Sequence, residues 1–199
     1  MGRPSNTEQR RAEIVSALLS VMAQKGYEKA SIQSIAKEAK LTPGLIHYHF
    51  KIKKDILIAL VNWISDNAQK RIEKMNEVSN DPWEKLEAFV NARLSLGETM
   101  QPEIVSAWVM ISGESVRHEE VKEIYEGLIE RQLRYLEETI ASVWQGKSKH
   151  SKEVIELSAM VTAMIEGCFQ LSVTANTVMP NGYAASNVLK LLQARINQS

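Results

Sequence analysis

The chain has 199 residues, with 24 Lys+Arg against 24 Asp+Glu, 44% hydrophobic residues and one Cys. That apolar fraction is enough for a core and excludes intrinsic disorder and fibrous repeats. Cys168 alone permits neither an internal disulfide nor a multi-cysteine metal site, which suits a reducing compartment. The start, Met1 to Arg11, is polar and basic without the apolar stretch of a secretory signal, and the uncharged run Gly167 to Leu189 is interrupted by Gln170, Asn176, Pro180, Asn181 and Gly182. Both readings predict a cytoplasmic protein with no membrane span.

The zero net charge is unevenly placed. Residues 1–54 hold ten Lys/Arg against four Glu, a net of +6, and the remainder carries −6. A basic end joined to an acidic body is expected where one end meets a polyanion, although basic surface also occurs on proteins with no such role.

In chain order, Ile14, Val15, Leu18, Leu19 and Met22 form a helical stripe that Gly26 closes. Ser31 caps a short second helix carrying Ile32, Ile35, Ala36 and Ala39 at i, i+3, i+4 and i+7. After Lys40 and Leu41, Thr42-Pro43 supplies a cap and a proline at the first helical position, starting a third helix that runs to about Phe50. A fourth opens near Lys53, with Ile56, Leu57, Leu60, Val61 and Ile64, and extends to Val78. Asp81-Pro82-Trp83-Glu84 begins a fifth, with Leu86, Phe89, Val90, Arg93 and Leu94, which Met100-Gln101-Pro102 ends. Three further helices are predicted over about 103–113, about 118–145, and Ser151 to about Val178. Pro180-Asn181-Gly182 then turns the chain into a last helix with Val188, Leu189, Leu192 and Ile196. The fold class is therefore all-α: about nine helices, an N-terminal three-helix unit over residues 1–52 and a larger helical bundle over 53–199.

Ser31 to Phe50 reads as short helix, tight turn, short helix, the helix-turn-helix arrangement. The first short helix braces while the second offers its N-terminal residues to base edges, so both need apolar undersides packed on helix one. Ile32, Ile35, Ala36, Ile46 and Phe50 supply them. His47 and His49 lie two apart, about 200° around a helix, and so do not share a metal. Neither His118 with Glu119 and Glu120 nor His150 completes a ligand set. No phosphate loop, H-E-x-x-H or G-x-S-x-G is present, so no metal, cofactor or catalytic residue is expected.

Residues 7–60 resemble the DNA-binding domain of the TetR family of transcriptional repressors. The resemblance is carried by the helix-one stripe to Gly26-Tyr27, by Ala30 to Ala36, by Leu41-Thr42-Pro43-Gly44-Leu45-Ile46-His47-Tyr48-His49-Phe50, and by Lys51 to Leu57. It implies that Thr42, Pro43, Gly44, Leu45, His47 and Tyr48 lie at or near the major groove of double-stranded DNA. It also places Lys53 and Ser31 at the phosphate backbone, with Arg3, Arg10 and Arg11 adding electrostatic contacts. His47 stands where most members have Tyr, and Ile52 replaces the usual small polar residue before Lys53. More loosely, Ala107-Trp108 and Ile165-Glu166-Gly167 resemble the choline-responsive branch of the family.

In the body, the segment from Leu157 to Val178 has only Glu166 and Gln170 as long, strongly polar side chains. A helix apolar on all sides must be buried on all sides, one of them against a second subunit. Ala159, Ala163 and Gly167, four apart, allow close helix approach, and Leu189 and Leu192 of the last helix complete the expected homodimer interface. Arg93, Trp108, Tyr125, Tyr135, Met164, Glu166, Phe169 and Gln170 are the candidates for a small-molecule pocket; a structural ion pair between Arg93 and Glu166, or a polar contact across the dimer, is the competing account. The sequence thus points to a homodimeric repressor that binds a palindromic operator and is released by an effector of unspecified identity. The alternatives are a constitutive helical DNA-binding protein, or an all-α enzyme or carrier.

Overall fold

The computed structural model describes residues 6–77, 80–94 and 102–197; Arg3, Val78, Met100 and Gln101, named above, lie outside the described residues. Among the described residues there are nine helices and no strand. They are α1 (Asn6–Lys25), α2 (Ile32–Ala39), α3 (Pro43–His49), α4 (Lys53–Asn76), α5 (Pro82–Leu94), α6 (Pro102–Ser115), α7 (Glu119–Val143), α8 (Lys152–Thr174) and α9 (Tyr183–Asn197).

The start signals act as read. Ser31 Oγ accepts from Ser34 N–H at 3.1 Å while Ser34 Oγ accepts from Ser31 N–H at 2.9 Å, a reciprocal cap on α2. Thr42 Oγ1 accepts from Leu45 N–H at 3.2 Å, and Pro43 follows where its missing N–H costs nothing. Asp81 Oδ1 accepts from the N–H groups of Trp83 and Glu84 at 2.7 and 3.0 Å. Ser151 takes the extended backbone of a cap before α8 but makes no capping bond. Gly26, Gly146 and Gly182 stop or turn the chain with φ of 78°, 78° and 66°.

Most boundaries fall within about two residues of the sequence reading, and the clearest difference is at the end of α8. α8 ends at Thr174, not near Val178, and Ala175 leaves helical geometry with φ −142°. Asn176 and the β-branched Thr177 and Val178 are poor helix formers, and Pro180 disfavours helical backbone in the residue before it. The apolar pattern that seemed to continue the helix belongs to a turn, with Val178 and Met179 donating to the Ala175 carbonyl.

The chain forms two compact units. The first comprises the described residues within Met1–Asp66 together with Ser106–Tyr125, that is α1 to α3, the first half of α4, most of α6 and the start of α7. Its core is built from Ile14, Leu18, Met22, Ile35, Ile46, Ile56, Leu57, Leu60 and Ile111, all fully buried. The second unit comprises the described residues within Asn67–Val105 and Glu126–Ser199. There α5 packs on α8 and α9 around Leu86, Phe89, Val90, Leu136, Ile165 and Val188. By length and composition alone α8 is apolar enough to cross a membrane. Here Val154, Leu157, Val161, Ile165 and Phe169 face the core of the second unit, while Ile155, Met160 and Leu171 face outward.

Lys40, at the turn between α2 and α3, is a left-handed residue with φ 55° and ψ 40° and carries a Cβ where glycine would be unstrained. Lys40→Gly is expected to stabilise the protein by about 0.5–1 kcal/mol, read as a higher urea midpoint at unchanged slope. Leu18→Ala, at full burial, is expected to cost about 2–5 kcal/mol in the same measurement.

Candidate nucleic-acid interface

The sequence of α3 divides it into two sides. Ile46 and, just beyond the helix, Phe50 are buried against the first unit's core, with Ile35 and Ala36 of α2 beneath the same turn. Thr42, Pro43, Gly44, His47 and Tyr48 are exposed, and Tyr48 is 79% accessible. Leu45 is half-buried. An aromatic residue left in solvent on so short a helix brings no folding stability, so its retention calls for another account. A Cβ at Gly44 would meet nothing within 4 Å, so the backbone there is open to close approach. Ser31 is exposed at the start of α2, its oxygen already accepting the capping bond and its hydroxyl hydrogen free to donate outward.

The turn that joins the two helices is held by the backbone. Leu41 N–H donates to the Ala36 carbonyl at 2.9 Å and Lys40 N–H to that of Lys37 at 3.2 Å, closing α2 while the chain swings into the extended Thr42. Two lysines behind α3 are tied to protein groups. Lys53 Nζ donates to the Tyr27 carbonyl at 2.9 Å and lies 4.1 Å from the centre of the Tyr27 ring. Burial, with the negative charges of Glu114 and Glu28, pushes the Tyr27 phenol up to about 12, so a neutral ring underlies the ammonium. Lys54 pairs with Glu120 at 2.6 Å, and Arg10 with Glu13 at 2.6 Å. Lys53 is therefore oriented by Tyr27, with two N–H donors left after that bond.

The histidines act singly: His49 meets Tyr48 edge-on, with ring centres 5.1 Å apart, and His118 lies 3.4 Å from the buried Glu114. Among the described residues no cluster of three His, Cys, Asp or Glu side chains could hold a metal.

The pocket candidates divide between the units. In the first, Trp108 and Tyr125 are tilted rings 4.9 Å apart. In the second, Phe89 and Tyr135 stack at 5.0 Å, and the Arg93 guanidinium lies 5.6 Å from the Phe89 ring centre. There too Phe169 is buried, Met164 and Glu166 are half-buried, and Gln170 is exposed. Sequence reasoning missed the polar side chains buried in this unit. Gln132 Nε2, Ser158 Oγ and Thr162 Oγ1 are buried and find no hydrogen-bond partner among the described residues. Other helical hydroxyls, those of Ser112, Ser115, Thr139, Ser142, Ser172 and Thr174, return their hydrogen to a carbonyl one turn back. A signal existed for Gln132, which falls in step with Leu128, Leu136 and Ile140 on an otherwise apolar stripe.

The interface candidates of α8 and α9 are likewise unequal. Ala159 and Ala163 are exposed, and a Cβ on Gly167 would meet nothing within 4 Å. Leu189 is half-buried, whereas Leu192 is 1% exposed and belongs to the protomer's own core; the outward residue beside it is Leu191, at 51%.

Comparison with known proteins agrees with the helix-turn-helix geometry. The family of bacterial regulatory proteins, tetR family, matches residues 14–60. The transcriptional regulator HbdR of Aromatoleum sp. (strain CIB) is 35% identical over 83 residues, covering 42% of this chain and 36% of that protein. The regulator LmrA of Bacillus subtilis (strain 168) is 26% identical over 187 residues, 92% of this chain and 96% of the relative. The chain thus spans about a third of the first relative and nearly all of the second. In fold it is similar to a putative transcriptional regulator from Saccharomonospora viridis solved in complex with choline, with a TM-score of 0.78, 24% identity and coverage of 96% of this chain and 97% of that one. With the helix-turn-helix of the first unit set beside these matches, residues 14–60 carry a TetR-family DNA-binding region, and the chain is similar over most of its length to a transcriptional regulator.

Proposed function

We propose that this regulator is a cytoplasmic repressor that binds a palindromic operator as a homodimer and releases it when a small molecule occupies the helical body. The carrying observation is the exposed edge of α3, where Thr42, Gly44, His47 and Tyr48 stand outward on a segment with a net charge of +6 over residues 1–54. In this reading Thr42, Tyr48 and Ser31 donate to phosphate or base edges, Leu45 touches a thymine methyl, and Pro43 and Gly44 allow the backbone to approach. His47 adds a hydrogen-bonding ring nitrogen at the groove, while Lys53 and Arg3 supply charge to the backbone. Residues 1–52 form the reading domain and 53–199 the body.

Two reading heads must lie about 34 Å apart on one face of the duplex, which a two-fold dimer provides. The outward side of α8 supports that assembly. Ile155, Ala159, Met160, Ala163, Gly167 and Leu171 make an apolar strip with small residues at its centre. Leu189 and Leu191 of α9 adjoin it in this reading.

The effector reading is supported by Gln132, Ser158 and Thr162, whose buried polar atoms lack protein partners. Leaving such a group unsatisfied costs about 1–3 kcal/mol, which a hydrogen-bonding ligand would offset. Arg93, Tyr135, Met164, Glu166, Phe169 and Gln170 of the second unit are the proposed recognition groups, and Trp108 and Tyr125 of the first unit are a separate candidate pair. The choline held by the Saccharomonospora viridis regulator makes choline the first compound to test.

The reading is tested by selecting bound fragments from the source genome with the purified protein at low and at physiological salt. Recovery of one palindrome at both salts is the expected result; only salt-labile, sequence-blind binding would sink it. On that duplex Tyr48→Ala is expected to weaken binding by about 1–3 kcal/mol, and Lys53→Ala to lower the slope of log K against log salt by about one, both without loss of the dimer. Gly167→Leu is expected to yield monomers by sedimentation, and a stable dimer would move the interface elsewhere.

A further inference from the structure

The carboxyl end of α3 is held by a side chain from α1. Arg11 Nη1 donates to the His49 carbonyl at 2.6 Å, across 38 positions of sequence. The same guanidinium lies over the Phe50 ring, 4.0 Å from its centre. His49 is the last residue of α3, so its carbonyl has no partner within the helix and sits at the negative end of the helix dipole. Phe50 is buried, and the ring of His49 meets Tyr48 edge-on. One planar cation therefore satisfies a terminal carbonyl, complements the dipole and covers the aromatic anchor of α3. Its neighbour Arg10 is instead occupied within α1 by Glu13.

We propose that Arg11 is a positioning residue for sequence reading: its clamp on the His49 carbonyl and the Phe50 ring fixes the orientation of α3, and with it the placement of Tyr48, so that operator preference depends on a residue that selects no base itself. The inference rests on α3 being the reading helix. A helix of seven residues has too few internal bonds to hold its own direction, so what fixes its ends fixes what it reads. The role requires arginine. Lying over a ring face while donating from its own planar edge suits a guanidinium, and the compact ammonium of lysine cannot do both at once.

The experiment compares wild type, R11K and R11M on the selected palindromic duplex and on a random duplex of equal length across a salt series, with amide hydrogen exchange of the free proteins. The wild type's own preference for the palindrome tests α3 as reader; the ratio of each variant's preference to that of wild type tests Arg11. For R11K we expect preference to fall about tenfold or more, random-duplex affinity to stay within about twofold, and exchange at His49 to Lys51 to accelerate about tenfold or more. R11M should behave alike in preference and exchange. Full wild-type preference in R11K would overturn the proposal by showing that charge alone suffices. A salt slope lowered by about 0.9 in R11M with preference intact would overturn it in favour of a direct phosphate contact. Unchanged exchange and preference in both variants would also overturn it. Because R11K keeps the charge and helix propensity of the site, it decides the matter if R11M does not fold.

Discussion

A seven-residue helix is unstable in water, because fixing its first turn costs more backbone entropy than its few hydrogen bonds return. The reading unit of this protein depends on overcoming that deficit for α3. Three contributions do so. Thr42 and Pro43 define its start, Ile46 and Phe50 bury its underside, and Arg11 holds its last carbonyl. Each acts on a different part of the helix, so the backbone is fixed at both ends and along one side while the remaining edge stays bare. Exposure of Tyr48 is possible because the folding work is done by its neighbours.

The second unit answers a different constraint. Its core contains hydroxyl and amide groups that a purely structural core would replace with apolar ones, since a buried polar atom without a partner is costly. On α8 Ser158 and Thr162 stand one turn apart, beside Leu157, Val161 and Ile165, so polar and apolar groups share one buried face. The opposite face of the same helix carries small and flexible apolar residues outward. One helix thus contributes an inward face with unmet hydrogen-bonding capacity and an outward face with unburied apolar surface, and the proposed ligand and partner subunit answer these separately.

Much of this was legible in the sequence, for local reasons. Helix starts were found because Ser31, Thr42 and Asp81 announce them through short-range bonds to backbone three residues ahead or fewer. The exposed edge of α3 is legible because its residues are contiguous. Less was legible where the deciding partner is distant. The clamp from Arg11 spans 38 positions, and nothing local to Arg11 distinguishes it from Arg10. The end of α8 was misplaced because an apolar run was weighed above the β-branched and proline residues within it. In α9, Leu189, Leu191 and Leu192 sit close together in sequence, and only packing settles that Leu192 turns inward. Gln132 was visible as an interruption of an apolar stripe, but its burial depends on the rest of the bundle.

The bareness of the reading edge has an evolutionary consequence. Gly44, His47 and Tyr48 make little contribution to the core, so under the proposed function substitutions there alter which DNA is bound while leaving folding almost untouched. Ile46 and Phe50, on the same short segment, have no such freedom. Drift toward a new binding site can therefore proceed through single replacements on a scaffold that tolerates them, and a duplicated copy of this regulator could acquire a new target before it lost its fold.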